Sequence, residues 1–428
     1  MRVLLKTLGC RLNEAELETW TREFHAHGHQ MTRNENDAEL IVINTCAVTQ
    51  EAVKKSRKLL RKAKRDNPHA RLIVSGCYVS LDQQLDNAIE GVDLIVPNAE
   101  KNRLVDIAHE KLELISSPLE AIDDNAGELL FNGRQRAFIK VQDGCRYRCT
   151  YCIVTLARGE ERSRPVNEII DEIRTLQAQN IQEVVITGVH LGGYGSDIGL
   201  NLADLVNAIL QQTDIPRIRM GSLEPWELKQ DFWSLFENPR VMPHLHLPLQ
   251  SGADSVLRRM SRRCRTDEFA GLCQSALAIN PDFNITTDII VGFPGESEEE
   301  WQQGLAFIES MPFGHIHIFA FSPREGTKAA TLPDPVARDT KRERSQVLHE
   351  SAAKLKQTRL QAMIGKSVEV LFEGNQQTDD NGNTIWSGYS PNFHRVCVIS
   401  DEDLCNQIRY VQIKMVSADN ELIGELNR

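Results

Sequence analysis

Apolar and polar positions come in blocks along the first hundred residues. The runs "RVLLKTLG", "ELIVINT", "RLIVSG" and "DLIVPN" are separated by longer, mostly polar stretches. Short unbroken apolar runs predict strands buried on both faces, and the stretches at 13–27, 50–64 and 81–89 predict helices between them. The alternation predicts an α/β domain with an open parallel sheet over residues 1–112. Residues 113–136, with "SSPLEAIDDNAG", have no periodicity and read as a linker. A second series starts at 138–141 and continues through "EVVITG", "RIRMGS", "HLHLPL", "NITTDIIVGF" and "HIHIFAFS". Six βα units predict a partial (β/α)6 barrel over 137–332, with its active face at the C-terminal strand ends. Pro333 and Pro335 lead into an amphipathic helix at 337–363, which bridges to a last domain. Over 364–428 the pattern shortens to strand-like alternation in "SVEVLFE", "HRVCVIS" and "YVQIKMV", predicting a small antiparallel, OB-like β-barrel.

A chain of 428 residues has room for several cores and no need of disulfides. The opening "MRVLLKTLGC" has too short an apolar run for a signal peptide, and no window reaches the ~18 apolar residues of a membrane span. We expect a cytoplasmic protein, in which ten cysteines point to metal ligands or core filler. The net charge of −11 argues against indiscriminate nucleic-acid binding. Basic residues are nonetheless bunched in "KKSRKLLRKAKR", "RRMSRRCR" and "KRERSQ".

Three of the first four predicted strands end on a cysteine: Cys10, Cys46 and Cys77. In a parallel sheet these ends share the ligand-binding edge, so the thiols should converge. Cys145, Cys149 and Cys152 form CxxxCxxC just after the first barrel strand. Structural zinc wants four ligands, and the nearest downstream histidine is His190, after the second strand. Three thiolates on a four-iron cluster leave one iron open to chelate a cofactor.

This motif and its place in a six-unit barrel resemble the radical S-adenosylmethionine (SAM) superfamily. The resemblance implies a [4Fe-4S] cluster on Cys145, Cys149 and Cys152 whose open iron binds SAM, cleaved on reduction to a 5′-deoxyadenosyl radical. "LGCRLNEAE", "NTCAVT", "SGCY", "FPGE" and the terminal barrel are similar to those of the methylthiotransferases over essentially the full length. That likeness implies a second [4Fe-4S] cluster on Cys10, Cys46 and Cys77, two SAM per turnover, a TRAM domain at the C-terminus, tRNA as substrate, a flavodoxin or ferredoxin as electron donor, and a monomer. "TGVHLGGYG", with Val189 and His190 where other branches carry Gln-Asn, most resembles the branch acting on threonylcarbamoyladenosine at tRNA position 37. Thr155 and Leu156 depart from the family's usual Pro-Tyr, and Pro248 from a frequent serine. The alternatives are the branches acting on isopentenyladenosine or on a ribosomal-protein aspartate, an RNA-binding protein with structural clusters, and a cobalamin-dependent methylase.

The resemblance places Thr187, Gly188 and His190 near the cofactor's amino group, Gln250 and Ser251 near its ribose, Asp288 and Gly292 near its adenine, and Glu224 beside them. Expected RNA contacts are Lys58, Arg61 and Lys62 on the first basic helix, Arg158, Arg162 and Arg164 after the motif, and Lys366, Tyr389, Phe393 and Arg395 in the last domain. His25, His27 and His29 read as exposed residues completing the first helix, with Gly28 its cap. Cys264, Cys273, Cys397 and Cys405 read as core or inert surface.

Overall fold

The computed structural model describes residues 1–81, 91–116, 135–379 and 381–427. Its N-terminal layer is a parallel sheet in the order β2-β1-β3-β4-β5, built from β1 (Arg2–Thr7), β2 (Gln30–Met31), β3 (Leu40–Thr45), β4 (Arg71–Gly76) and β5 (Leu94–Val96). Around it lie α1 (Arg11–Ala26), α2 (Gln50–Asp66), α3 (Cys77–Leu81) and α4 (Leu104–Leu112). Alternate residues of β3 serve different cores. Ile41 and Ile43 pack with Leu60 and Ala63 of α2, whereas Leu40 and Val42 pack with Trp20 and Phe24 of α1. Cover on both faces is why this strand is a continuous apolar run.

The polar edge strand β2 has no apolar signal. It follows Gly28, whose φ of +79° ends α1, and here His29 departs from expectation: it is buried, with Nε2 3.1 Å from His109 Nε2. The expected helix at 81–89 lies beyond Leu81 outside the described residues, as does 117–134 of the expected linker. Arg136, assigned to that linker, is buried and opens the next strand.

The central unit has six parallel strands, β6 (Arg136–Asp143), β8 (Glu183–Gly188), β9 (Arg217–Met220), β10 (His244–His246), β11 (Asn284–Val291) and β12 (Phe313–Ala320). Short β7 (Arg162–Ser163) lies antiparallel beside β6, and β9 meets β10 through the bridges Ile218–Val241 and Ser222–His246. The helices are α5 (Val154–Arg158), α6 (Val166–Ala178), α7 (Leu202–Gln212), α8 (Asp254–Arg259), α9 (Thr266–Ile279), α10 (Glu298–Glu309) and α11 (Arg338–Gln361). One apolar core joins Ile139, Val184, Ile186, Ile285 and Ile316 of the strands to Ile173, Leu205 and Ile209 of the helices. Leu348 of α11 belongs to this core, with Ala352 and Leu355 packed against it. The expected bridge therefore also completes the sixth βα unit.

The last unit is a closed barrel, β13-β14-β15-β17-β16, from β13 (Ser367–Thr378), β14 (Thr384–Tyr389), β15 (Arg395–Ile399), β16 (Ile408–Val416) and β17 (Leu422–Leu426). It is antiparallel except where β15 and β17 close it in parallel. Its 389–394 loop plugs the N-terminal end of the central barrel. Arg217 donates to the Tyr389 carbonyl (3.1 Å), Arg219 to that of Pro391 (2.9 Å) and Asn284 to that of Asn392 (2.8 Å). The rings of Tyr389 and Phe393 stack 4.8 Å apart, under Arg136 at 4.3 and 5.2 Å. Expected as base-stacking residues, they instead cover the buried charges of the barrel floor, where an uncovered guanidinium would carry a desolvation cost.

Candidate active site at the facing cysteine loops

Since β1, β3 and β4 are neighbours, Cys10, Cys46 and Cys77, just past their ends, stand together on one sheet edge. Burial raises the Cys46 thiol pKa, and the charges of Cys77 and Cys10 add to the shift. Gly9 makes this closeness possible. Its φ is +121°, and a Cβ there would lie 2.9 Å from Cys46 Cβ and 3.0 Å from Cys46 Sγ. Cys10 also stands at the N-cap position of α1.

Cys145, Cys149 and Cys152 lie on the loop between β6 and α5. Backbone N–H groups of Tyr147 and Val154 each donate to a sulfur, Cys145 and Cys152, at 3.4 Å. Gly144 has φ +73°, and a Cβ there would fall 1.9 Å from the Glu160 carbonyl oxygen, so the loop closes only on glycine. Burial pushes the Cys145 thiol up to about 12 and Cys152 to about 11. Such thiols lose their protons when a bound metal supplies the compensating charge. Three grouped sulfurs with N–H donors suit the three-thiolate side of an iron–sulfur cluster.

Beside this loop, His190 is fully buried and ringed by acids. Its Nδ1 contacts Glu161, while Nε2 lies 3.3 Å from Glu227 Oε1 and 3.6 Å from Glu224 Oε2. Burial alone would lower its pKa, but the three carboxylates raise it. Burial would likewise raise Glu227, yet the adjacent His190 and hydrogen bonds from Tyr147 and Arg146 hold it at about 2. Glu224 differs: burial keeps its pKa raised, and its buried Oε2 has no hydrogen-bond partner. Its charge reaches Cys145 and Cys152. An orphaned carboxylate oxygen beside the thiols fits the ammonium group of an amino-acid cofactor, with His190 as its support from behind.

Thr187 and Gly188 end β8 on the same rim, where a Gly188 Cβ would lie 3.0 Å from Gln142 Oε1. Gln250 holds φ +79°, an unfavourable backbone for a non-glycine residue, and Ser251 follows it; both are buried. Gly292 follows the C-terminal end of β11, where a Cβ would be 2.2 Å from Lys341 Cγ of α11. Asp288 sits deeper, with Oδ1 3.3 Å from His246 Nε2.

The two cysteine sets face each other across a polar junction. Asn98 Nδ2 is 3.8 Å from Cys77 Sγ and donates to the Ala157 carbonyl (2.8 Å) on α5, the helix directly after Cys152. Arg158 ends α5 and reaches Glu16 (2.9 Å) and Asn13 (2.8 Å) of α1 and Asp143 (3.1 Å) of β6. Lys101 and Lys140 meet the same Glu16 at 2.5 and 3.2 Å. With its side chain 2% exposed, Arg158 bonds the two units, and the expected RNA contact does not fit its burial. From the far side, Gln50 Nε2 donates to the Pro323 carbonyl (3.1 Å), and the charge of Cys46 acts on Arg324.

Comparison with known proteins agrees with this arrangement. The model of the radical SAM superfamily matches residues 139–308, and that of uncharacterized protein family UPF0004 matches residues 2–97. A Thermotoga maritima protein named threonylcarbamoyladenosine tRNA methylthiotransferase MtaB is 36% identical, over 87% of this chain and 86% of its own length. The chain belongs to the radical SAM tRNA methylthiotransferase family. The Bacillus subtilis protein of the same name is 33% identical, over 97% of this chain and 94% of its own. A Staphylococcus saprophyticus tRNA-2-methylthio-N(6)-dimethylallyladenosine synthase is 34% identical, over 90% and 78%. The fold also resembles the cobalamin- and [4Fe-4S]-bound radical SAM methyltransferase TsrM from Kitasatospora setae, with a TM-score of 0.56 at 14% identity and 77% of each chain covered.

As a radical SAM methylthiotransferase, the protein carries a [4Fe-4S] cluster and SAM, and the matched region includes Cys145, Cys149 and Cys152. Sequence reasoning missed several neighbours of this site. Arg262, read only as part of a basic run, hydrogen-bonds Cys149 and lies 4.3 Å over Trp226. Glu161, Glu227 and Tyr147 hold His190, and Glu16 organises the junction; only Arg262 carried a signal, its place among clustered arginines. Of the remaining expected RNA contacts, Lys58, Arg61 and Arg162 are exposed. Lys62 pairs with Glu35 and Asp66, Arg164 with Glu172, Lys366 with Asp282 and Arg395 with Glu421. Cys264, Cys273 and Cys397 are buried, and Cys405 is partly so. No helix among the described residues is long and apolar enough to cross a membrane.

Proposed function

We propose that this methylthiotransferase converts threonylcarbamoyladenosine at position 37 of tRNA to its 2-methylthio derivative. The observation that carries the reading is the placement of two three-cysteine sets on facing loops, joined by Asn98 and Arg158. One set would supply a carbon-centred radical from SAM, and the other, as a second [4Fe-4S] cluster, would supply sulfur. The chain's own residues do the positioning. Glu224 receives the cofactor's amino group, Gln250 and Ser251 line its ribose side, and the salt-bridged junction keeps the two sites in register. Val48 before α2, Leu156 of α5 and Phe319 of β12 expose apolar surface suited to a flat base. Exposed Lys58 and Arg61 on α2 suit the phosphates of an anticodon stem.

The substrate assignment draws on relatives named for threonylcarbamoyladenosine, which align over nearly the whole chain. The reading includes two SAM per turnover, a small reducing partner such as flavodoxin or ferredoxin, and a cytoplasmic monomer. Anaerobically purified protein should hold about eight irons per chain. Nucleosides of tRNA from a strain lacking the gene should lose the 2-methylthio mark on threonylcarbamoyladenosine. About four irons would reject the two-cluster reading. Loss of the mark on isopentenyladenosine instead would reject the substrate.

A further inference from the structure

The inner face of the last three barrel strands carries a polar group used by neither cysteine site. His246 of β10, Asp288 of β11 and His317 of β12 bring ligand-type atoms within 4.8 Å of one another. The His246 and His317 rings are 5.5 Å apart, and His315 stands edge-on to His317 at 4.5 Å. The Thr286 hydroxyl lies 2.9 Å from His246 Nδ1 and 3.3 Å from His244 Nε2, which fixes the His246 ring. With Nδ1 on Thr286 and Nε2 3.3 Å from Asp288, His246 has both nitrogens engaged and no free lone pair for a cation.

The group is within electrostatic reach of both cysteine loops. The charge of Asp288 acts on Tyr151, which stands between Cys149 and Cys152 and feels both. On the other side, the charge of Arg11, next to Cys10, acts on His317. The guanidinium carbon of Arg11 is 5.3 Å from the centroid of Phe138 on β6, so α1 lines the chamber opposite β10–β12. His315 and His317 are exposed because β12 is the open edge of an incomplete barrel. A base placed between the clusters therefore directs its N6 substituent onto imidazoles, a carboxylate and a guanidinium.

Such a lining discriminates chemically. A substituent with a carboxylate, a hydroxyl and a urea finds donors in Arg11 and His317 and an acceptor in Asp288. A branched hydrocarbon desolvates the same groups and returns nothing, and sites of this type reject the analogue lacking the polar group most strongly. We infer that Arg11, His246, Asp288 and His317 form a subsite that takes the carboxylate-bearing N6 substituent of the target adenosine and selects it over hydrocarbon-bearing adenosines. His317 and Arg11 contact the substituent, and His246 positions Asp288. This inference rests on the proposed function and deepens it.

The test is fluorescence-anisotropy binding of cluster-loaded protein to two anticodon stem-loops, one with threonylcarbamoyladenosine and one with isopentenyladenosine. The wild-type protein should bind the first more tightly. His317→Phe and, separately, Arg11→Gln should each reduce that ratio about tenfold or more, with iron content unchanged and the stem-loop carrying unmodified adenosine bound as before. If the wild type favours isopentenyladenosine, the proposed substrate fails. If the wild type favours threonylcarbamoyladenosine and both variants keep its full preference, this subsite alone is overturned. A preference abolished in the wild type by a divalent-metal chelator, at constant iron content, would overturn it in favour of a bound cation.

Discussion

At the residue scale, buried charge decides what is stable and what is reactive. Arg158, enclosed by Glu16, Asn13 and Asp143, has counter-charges on both units it joins. Removing one partner of a buried ion pair strands the other, which typically costs about 3–5 kcal/mol. Arg158→Gln should therefore lower the apparent Tm by several degrees, whereas Arg162→Gln, at an exposed position, should leave it unchanged in thermal unfolding followed by circular dichroism. Glu23 offers a pH-dependent case. Burial, reinforced by the neighbouring charges of Asp106 and Glu172, raises its carboxyl to about 7. A carboxyl raised on folding contributes stability below its ordinary range, about 4, and withdraws it as pH climbs through 7. Glu23→Gln should match the wild type in Tm near pH 4 and exceed it at pH 8. Equal melting at both values would disprove the shift.

At the element scale, α2 and the 389–394 loop show how one kind of sequence signal acquires different uses. Basic positions along α2 include exposed Lys58 and Arg61, while Lys62 of the same helix is partnered by Glu35 and Asp66. Reversing the two exposed charges, Lys58→Glu with Arg61→Glu, should weaken tRNA binding and lower the magnitude of the salt slope by about one for each phosphate no longer neutralised. Iron content should stay constant, and an unchanged slope in a salt titration would exclude this face of α2. Tyr389 and Phe393 look like the aromatic residues of a nucleic-acid barrel, but Arg136, Arg217 and Arg219 claim the loop that carries them. Phe393→Ala should therefore destabilise the chain while altering tRNA affinity little, measured by urea unfolding beside anisotropy.

At the scale of the whole molecule, the proposed chemistry depends on two sheet edges meeting. The first sheet presents three cysteines and the barrel presents three more, while α1 and α5 provide the buried contacts between them. If the sites are independent iron centres on a shared frame, Cys10→Ala with Cys46→Ala and Cys77→Ala should leave about four irons and SAM cleavage to 5′-deoxyadenosine, but no methylthio product. Loss of all iron in this triple variant would show that the sets assemble as one unit.

Much of this architecture was legible in the chain. Continuous apolar runs in "ELIVINT" and "RLIVSG" carry the double-sided burial of a parallel sheet, and the cysteines of CxxxCxxC are grouped because all three belong to one loop. Even the distant set of Cys10, Cys46 and Cys77 could be read, because parallel strands put all their ends on one edge. The use of Arg158, the plug made by Tyr389 and Phe393, the orphaned oxygen of Glu224 and the grouping of His246, Asp288 and His317 could not. An exposed arginine and a buried one have the same local pattern; only packing between distant segments sets which charges lose their water and which partners must then replace it.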